Sequence, residues 1–168
     1  ARTVCQSLGI DGGEFDGAIE GFTGAARRLE VAVDRPENNF TLYRDFAHAP
    51  SKLKATQAGV VGSYPDRAVT AVFELPTFSS LNKKFLPQYK ESMNAVDHAV
   101  VFYDPEVVKH KKLPAISIQE VIDCFEREDL EVITSVDQLE SRLQEIPKEN
   151  HCVLMMSSGR FGGAEIPQ

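Results

Sequence analysis

No CxxC or comparable spacing links the three cysteines, Cys5, Cys124 and Cys152, which excludes a zinc ribbon or a dithiol redox site and fits a reducing cytoplasm. No apolar run approaches a membrane span, and the opening ARTVCQSLGI lacks both the charged start and the apolar centre of a secretory signal. That opening reads as a cut through a larger protein. Basic residues are in deficit, 18 against 25 acidic, and the formal charge of −7 argues against a nucleic-acid partner. The one basic cluster, residues 109–112 around His110, reads as a solvated loop. Also missing are a GxxxxGK[ST] triphosphate cradle, a GxGxxG after the first strand and any internal repeat. What is there is 168 residues, 42% hydrophobic and 26% charged, the composition of an ordinary globular domain with a core of its own.

The hydrophobic period changes along the chain. Val4 and Leu8 followed by Gly9 look like the end of a glycine-capped helix. Asp11 and Glu14 then have capping-box spacing ahead of Phe15, Ala18, Ile19 and Phe22 on one helical face, a short helix ending near Gly21. From Arg28 the alternation of Leu29, Val31 and Val33 predicts a half-buried strand, and the turn-rich RPENN leads into a second strand through Phe40 and Leu42 to Asp45, an antiparallel pair. Beyond Pro50, apolar runs at 68–73, 99–103, 132–133 and 152–156 read as strands covered on both faces. Ser117 with Glu120 and Ser135 with Gln138 begin amphipathic helices between them. The pattern predicts an α/β fold, a Rossmann-like three-layer domain with a mainly parallel sheet of about six strands and an antiparallel pair at its start. Ligands of such folds bind at the carboxyl ends of the strands.

Three segments place chemistry there. In GAARRLE, residues 24–30, adjacent arginines enter a strand and so point to opposite sides, and Arg28 either clamps a phosphate or carboxylate or pairs with Glu30 or Asp45 on the surface. In DFAHAPS, residues 45–51, Asp45 could accept from ribose hydroxyls and His48 could orient or deprotonate an amine, or Asp45 is a turn acceptor and His48 a helix-start residue. In SSGRFGG, residues 157–163, Ser157, Ser158, Arg160, Gly162 and Gly163 supply hydroxyls, a cation and close backbone approach to an anion. Glu74 is a further candidate carboxylate. His98 and His151 read as strand-start residues, Cys124 and Cys152 as core.

Together, GFTGAARRLEV, YRDFAHAPSKLKATQAGV and VLMMSSGRFGG resemble, in order and spacing and over nearly the whole chain, the carboxy-terminal domain of the Mur ligase family. The closest pattern is its murein peptide ligase branch, whose last strand ends in an M-S-N-G-G-F-G-G-like run, with the L-alanine ligases as near relatives. The resemblance implies a three-domain bacterial cytoplasmic enzyme that uses ATP and Mg2+ to join UDP-N-acetylmuramate to an L-alanyl peptide or, alternatively, to L-alanine; the serines, Arg160 and glycines of SSGRFGG, with the altered loop 74–80, suit the open groove of a tripeptide and favour the peptide. Residues 1–21 would then be the end of the central ATP-binding domain and 22–168 the carboxy-terminal domain, working beside the central and amino-terminal domains of the same chain. Arg28 would reach the ATP phosphates, Asp45 hold the ribose, and His48 lie beside the amine. Two departures touch substrate choice: relatives commonly have a second histidine where Ala49 stands, and residues 74–80, ELPTFSS, replace an arginine-bearing loop.

Two other readings lead elsewhere. A stand-alone doubly wound binding module needs a complete amino-terminal boundary, and a small nucleotide-binding oxidoreductase needs the glycine fingerprint that is missing. The resemblance leaves most phosphate and Mg2+ contacts to the central domain, so the isolated chain is expected to be catalytically silent. Titration calorimetry of residues 1–168 with ATP should give a dissociation constant weaker than about a micromolar, that is, less than about 8 kcal/mol of binding.

Overall fold

A computed structural model describes residues 1–21 and 28–166. Helix α1 (Arg2–Ser7) ends at Leu8, and Gly9 follows in the left-handed region at φ 87°, as the glycine stop predicts. Helix α2 (Gly12–Glu20) starts on a complete capping box: Asp11 Oδ1 accepts from the Gly13 and Glu14 amides, and Glu14 Oε2 accepts from the Asp11 amide. Its expected apolar face is not buried in this structure; no residue of α1 or α2 is buried, and Ile19 is 48% exposed. Phe22, the last expected member of that face, lies outside the described residues, as do Gly24 to Arg27 of the first arginine segment.

Six strands follow, β1 (Glu30–Arg35), β2 (Phe40–Asp45), β3 (Ala68–Glu74), β4 (His98–Phe102), β5 (Glu131–Ile133) and β6 (His151–Met156). They form one sheet in the order β1-β2-β6-β3-β4-β5, with β1 antiparallel to β2 and every other pair parallel. Helices α3 (Pro50–Ser63), α4 (Pro105–His110), α5 (Ile118–Phe125) and α6 (Val136–Glu145) connect them. This is the mainly parallel, three-layer Rossmann-like domain that the alternating pattern predicts.

The handedness of crossovers explains which helix covers which face. Connections stepping from β2 through β3 and β4 to β5 run one way along the sheet, so right-handed crossovers place them on one face. There Leu53 and Val60 of α3, Val108 of α4 and Val121 and Phe125 of α5 pack on Ala71, Phe73, Val101 and Leu154. The return from β5 to β6 runs the other way and puts α6 on the opposite face, where Leu139 and Leu143 meet Val72, Val100 and Phe102. The segment after β6 joins the same core, Phe161, Ala164 and Ile166 clustering with Phe40, Leu42 and Met155 as well as with α6.

Local chemistry sets the helix starts. Pro50 supplies the first turn of α3, and Asp104 caps α4 through the Glu106 amide. Ser117 and Glu120 complete a capping box on α5, while Ser135 caps α6 through the Gln138 amide. The opening strand departs from expectation. Leu29 precedes it at φ 49°, the pairing register shifts between Val31 and Val33, and Val31 is 52% exposed. The bulge turns the alternation out of phase on an edge strand, so the apolar positions do not all reach the core.

At the amino ends of the strands, His151 is 2% exposed and its Nε2 bonds Thr70 Oγ1 at 2.7 Å, with the His98 ring stacked at 6.3 Å. Burial, reinforced by the neighbouring His98, lowers the His151 pKa below its ordinary value. The unfolded chain therefore takes up this proton first, and stability falls as pH drops from about 6.5 through the folded-state value. His151→Gln, which can keep the bond to Thr70, should flatten the dependence of thermal midpoint on pH below about 6.5 relative to wild type.

Candidate functional site

The parallel register brings the carboxyl ends of β2, β6 and β3 side by side, Asp45 and Phe73 both standing opposite Met156. Asp45, half-buried, is the hub of the first of these ends. Its Oδ2 accepts from the Leu29 amide at 2.7 Å, and its Oδ1 accepts from the Ala47 amide at 2.7 Å and Thr56 Oγ1 at 3.3 Å. Its carbonyl accepts from the Ser157 amide at 3.0 Å. One side chain thus joins the entry to β1, the turn after β2, the first half of α3 and, through its backbone, the loop after β6. A carboxylate has about four acceptor positions, so Oδ2 retains one for an outside hydroxyl.

His48 sits in the turn that Asp45 begins. Its Nδ1 is 2.9 Å from the Phe46 carbonyl, and its ring meets the Phe46 ring edge-on at 5.3 Å. A carbonyl oxygen only accepts, so Nδ1 carries the hydrogen, and in the neutral ring Nε2 is the acceptor. The Tyr89 hydroxyl fixes the turn from below by donating to the His48 carbonyl at 2.7 Å; burial pushes that phenol's pKa up and keeps it a donor. Ala49, with no capping side chain, precedes Pro50 at the start of α3.

At the end of β3, Glu74 is 8% exposed, and its Oε2 accepts from the Ser157 hydroxyl and from the Phe161 amide at 2.8 Å. The Ser157 hydroxyl in turn accepts from the Gly159 amide at 2.6 Å. Phe161 is buried at φ 52°, and Gly162 and Gly163 continue in the left-handed region at 64° and 89°. A Cβ on Gly162 would stand 2.8 Å from Val136 Cγ2, so glycine is needed there on two counts.

Between Asp45 and the segment after β6 lies a cleft of about 470 Å3. Arg44, Asp45, Met155, Ser157, Arg160 and Gly163 line it, with Glu30 across the antiparallel pair from Arg44. Arg44 and Arg160 are exposed, and among the described residues neither forms an ion pair. A cation-flanked cleft with a carboxylate at its floor suits an anionic ligand that also carries hydroxyls.

Of the residues singled out from sequence, Asp45, Ser157, Arg160 and Gly163 meet in this cleft. His48 lies on the turn beside it, while Ser158, half-buried, and Gly162, exposed, belong to the same loop without lining it. Arg28 does not enter a strand. It precedes β1 in a bend, exposed, and among the described residues it pairs with neither Glu30 nor Asp45. Arg44 was missed, although strand alternation from Leu42 places it on the face of the cleft at the end of β2.

A family model for the Mur ligase, glutamate ligase domain matches residues 27–159. A UDP-N-acetylmuramate–L-alanine ligase of Brachyspira hyodysenteriae is 28% identical over 156 residues, 92% of this chain and 33% of that protein, and the further curated relatives compared carry the same name. The UDP-N-acetylmuramate–alanine ligase of Thermotoga maritima shares the fold, with a TM-score of 0.68 at 21% identity over 94% of this chain and 32% of that one. A domain described as coming from a UDP-N-acetylmuramate:L-alanyl-γ-D-glutamyl-meso-diaminopimelate ligase of Haemophilus ducreyi is 28% identical with a TM-score of 0.52, over 81% of this chain and 92% of that one. This chain spans about a third of the length of the curated relatives it matches.

The hydrogen bonds of Asp45 give it a structural duty that Arg28 lacks. Asp45→Ala leaves the Leu29 and Ala47 amides without their acceptor and should cost about 1–3 kcal/mol in urea unfolding, whereas Arg28→Ala should stay within about 0.5 kcal/mol of wild type.

Proposed function

Because this chain belongs to the Mur ligase family, we propose that it is the carboxy-terminal domain of an ATP-dependent ligase that joins UDP-N-acetylmuramate to L-alanine. The reading is carried by the family match over residues 27–159, which takes in Arg28, Asp45, His48 and Ser157 and ends at Gly159, ahead of Arg160. The name shared by the curated relatives supports L-alanine over the tripeptide that the SSGRFGG segment suggested.

On this reading ATP transfers its γ-phosphoryl group to the muramyl carboxylate, the amine attacks the acyl phosphate, an amide forms and phosphate leaves. Mg2+ would screen the phosphate charges, and its ligands would come mainly from the central domain. Asp45 fits a ribose because Oδ2 keeps an open acceptor position after binding the Leu29 amide. Arg28, exposed and without an ion pair among the described residues, would on this reading reach the phosphate oxygens when the domain closes. His48, with Nδ1 committed to the Phe46 carbonyl, presents Nε2 as an acceptor for a proton from the attacking amine. The contribution of these groups is positioning and electrostatic stabilisation, in a site completed by other domains. Ser157, Ser158, Arg160, Gly162 and Gly163 then receive the amine-bearing substrate.

The Haemophilus ducreyi domain, at 28% identity over nearly its whole length, supports a second reading in which the amine is the L-alanyl-γ-D-glutamyl-meso-diaminopimelate peptide. Specificity constants of the full-length enzyme for the two amines, with UDP-N-acetylmuramate and ATP, decide between them. L-alanine should be preferred by more than about tenfold, roughly 1.4 kcal/mol of transition-state discrimination, and a preference of that size for the peptide would establish the second reading.

A further inference from the structure

We infer that Glu74 is the positioning residue of loop 157–163, holding it from beneath in the conformation that receives the amine-bearing substrate. The inference rests on the ligase reading for its functional half; its structural half stands on geometry alone. Two loop groups, the Ser157 hydroxyl and the Phe161 amide, end on the same oxygen, Oε2. The Gly159 amide hangs on it indirectly through Ser157 Oγ. Contact is close enough to dictate sequence: a Cβ on Gly159 would stand 2.7 Å from Glu74 Oε2 and 3.0 Å from Pro76 Cβ.

Two features set this apart from ordinary loop anchoring. First, the carboxylate is buried with no ion pair among the described residues, an arrangement that costs desolvation and that an apolar contact would avoid. Second, the loop it holds is strained. Phe161 carries a side chain at φ 52°, a region such residues seldom enter, and it stays there because its amide is bound by Glu74 and its ring is buried in the second core. Strain maintained by a buried polar group is typical of a loop whose shape is used. The shape leaves Arg160, Gly162 and Gly163 on the outside, while Glu74 lies beneath them and does not line the cleft. Since Ser157 also donates its amide to the Asp45 carbonyl, the loop is registered to both flanking strands at once.

Both bonds need an acceptor at one place, not a charge. Glutamine with its Oε1 at that place accepts both; alanine accepts neither. In the full-length protein, hydrogen exchange of the 157–163 amides should accelerate more than about tenfold in Glu74→Ala and stay within about threefold of wild type in Glu74→Gln. Steady-state kinetics should show the KM for the amine raised about tenfold or more in Glu74→Ala, with kcat and the KM for ATP within about threefold and Glu74→Gln near wild type. Gly159→Ala, which forces carboxylate and loop apart without removing either, should reproduce that split and serves if Glu74→Ala does not fold. Unchanged exchange in Glu74→Ala, a loss confined to kcat or to the KM for ATP, or a Glu74→Gln variant as impaired as Glu74→Ala overturns the proposal. If the wild-type enzyme turns over neither amine, the ligase reading fails, and the exchange result alone decides the positioning role.

Discussion

The last strand is inserted between the second and third, and that insertion is the constraint on which the sheet depends. Strand β6 pairs with β2 on one side and β3 on the other, and all six of its residues are buried. Without it, the β1–β2 pair and the β3–β4–β5 group have no backbone contact in the sheet. Burying Val153, Leu154, Met155 and Met156 is worth on the order of 10 kcal/mol gross, comparable to the whole net stability of an ordinary domain. The pairing of Phe40 with His151 also closes a very long loop, whose entropy the burial of β6 must offset.

The same insertion makes the site. A strand added between two others ends between their ends, and the residue after it falls within reach of both neighbours: Ser157 donates its amide to Asp45 on one side and its hydroxyl to Glu74 on the other. The return crossover that delivers β6 puts α6 on the second face, in one cluster with the segment that follows β6. The cleft lies between that segment and the ends of β2 and β6. Site location is therefore a consequence of strand order and crossover hand, fixed before any particular side chain is chosen.

Much of this architecture was legible locally. The capping pairs Asp11–Glu14 and Ser117–Glu120 mark their helices, and the apolar runs mark β3, β4 and β6 to within a residue or two. Strand order was not legible, because a buried parallel strand reads as the same apolar run wherever it sits in the sheet. The exposure of Val31 escaped the pattern because a bulge changes phase without changing composition, and Leu29 lies in the bend before the strand. Asp45, Ser157 and Arg160 could be singled out because each ends or follows a strand, and the structure brings them to one cleft. Arg44 was hidden by its place inside a strand, and the partners of Glu74 by the long sequence distance to the loop it binds.

The cleft sets two arginines among its carboxylates. The sequence carries a formal charge of −7, yet the exposed ionic groups nearest the loop after β6 include Arg44 and Arg160. At physiological salt, charges beyond about 8 Å are largely screened, so a ligand in the cleft responds to these groups more than to the net charge. Of the carboxylates there, Glu30 is exposed across from Arg44, while two are tied to backbone and hydroxyl donors: Asp45 is shared among the Leu29 and Ala47 amides and Thr56, and Glu74 beneath the loop is occupied by Ser157 and Phe161. Amide and hydroxyl donors partly offset their negative potential at the positions where an anion would come closest. Two acidic side chains that would repel an anionic substrate are thereby used to build the loops, and the surface those loops present is left to arginine and glycine.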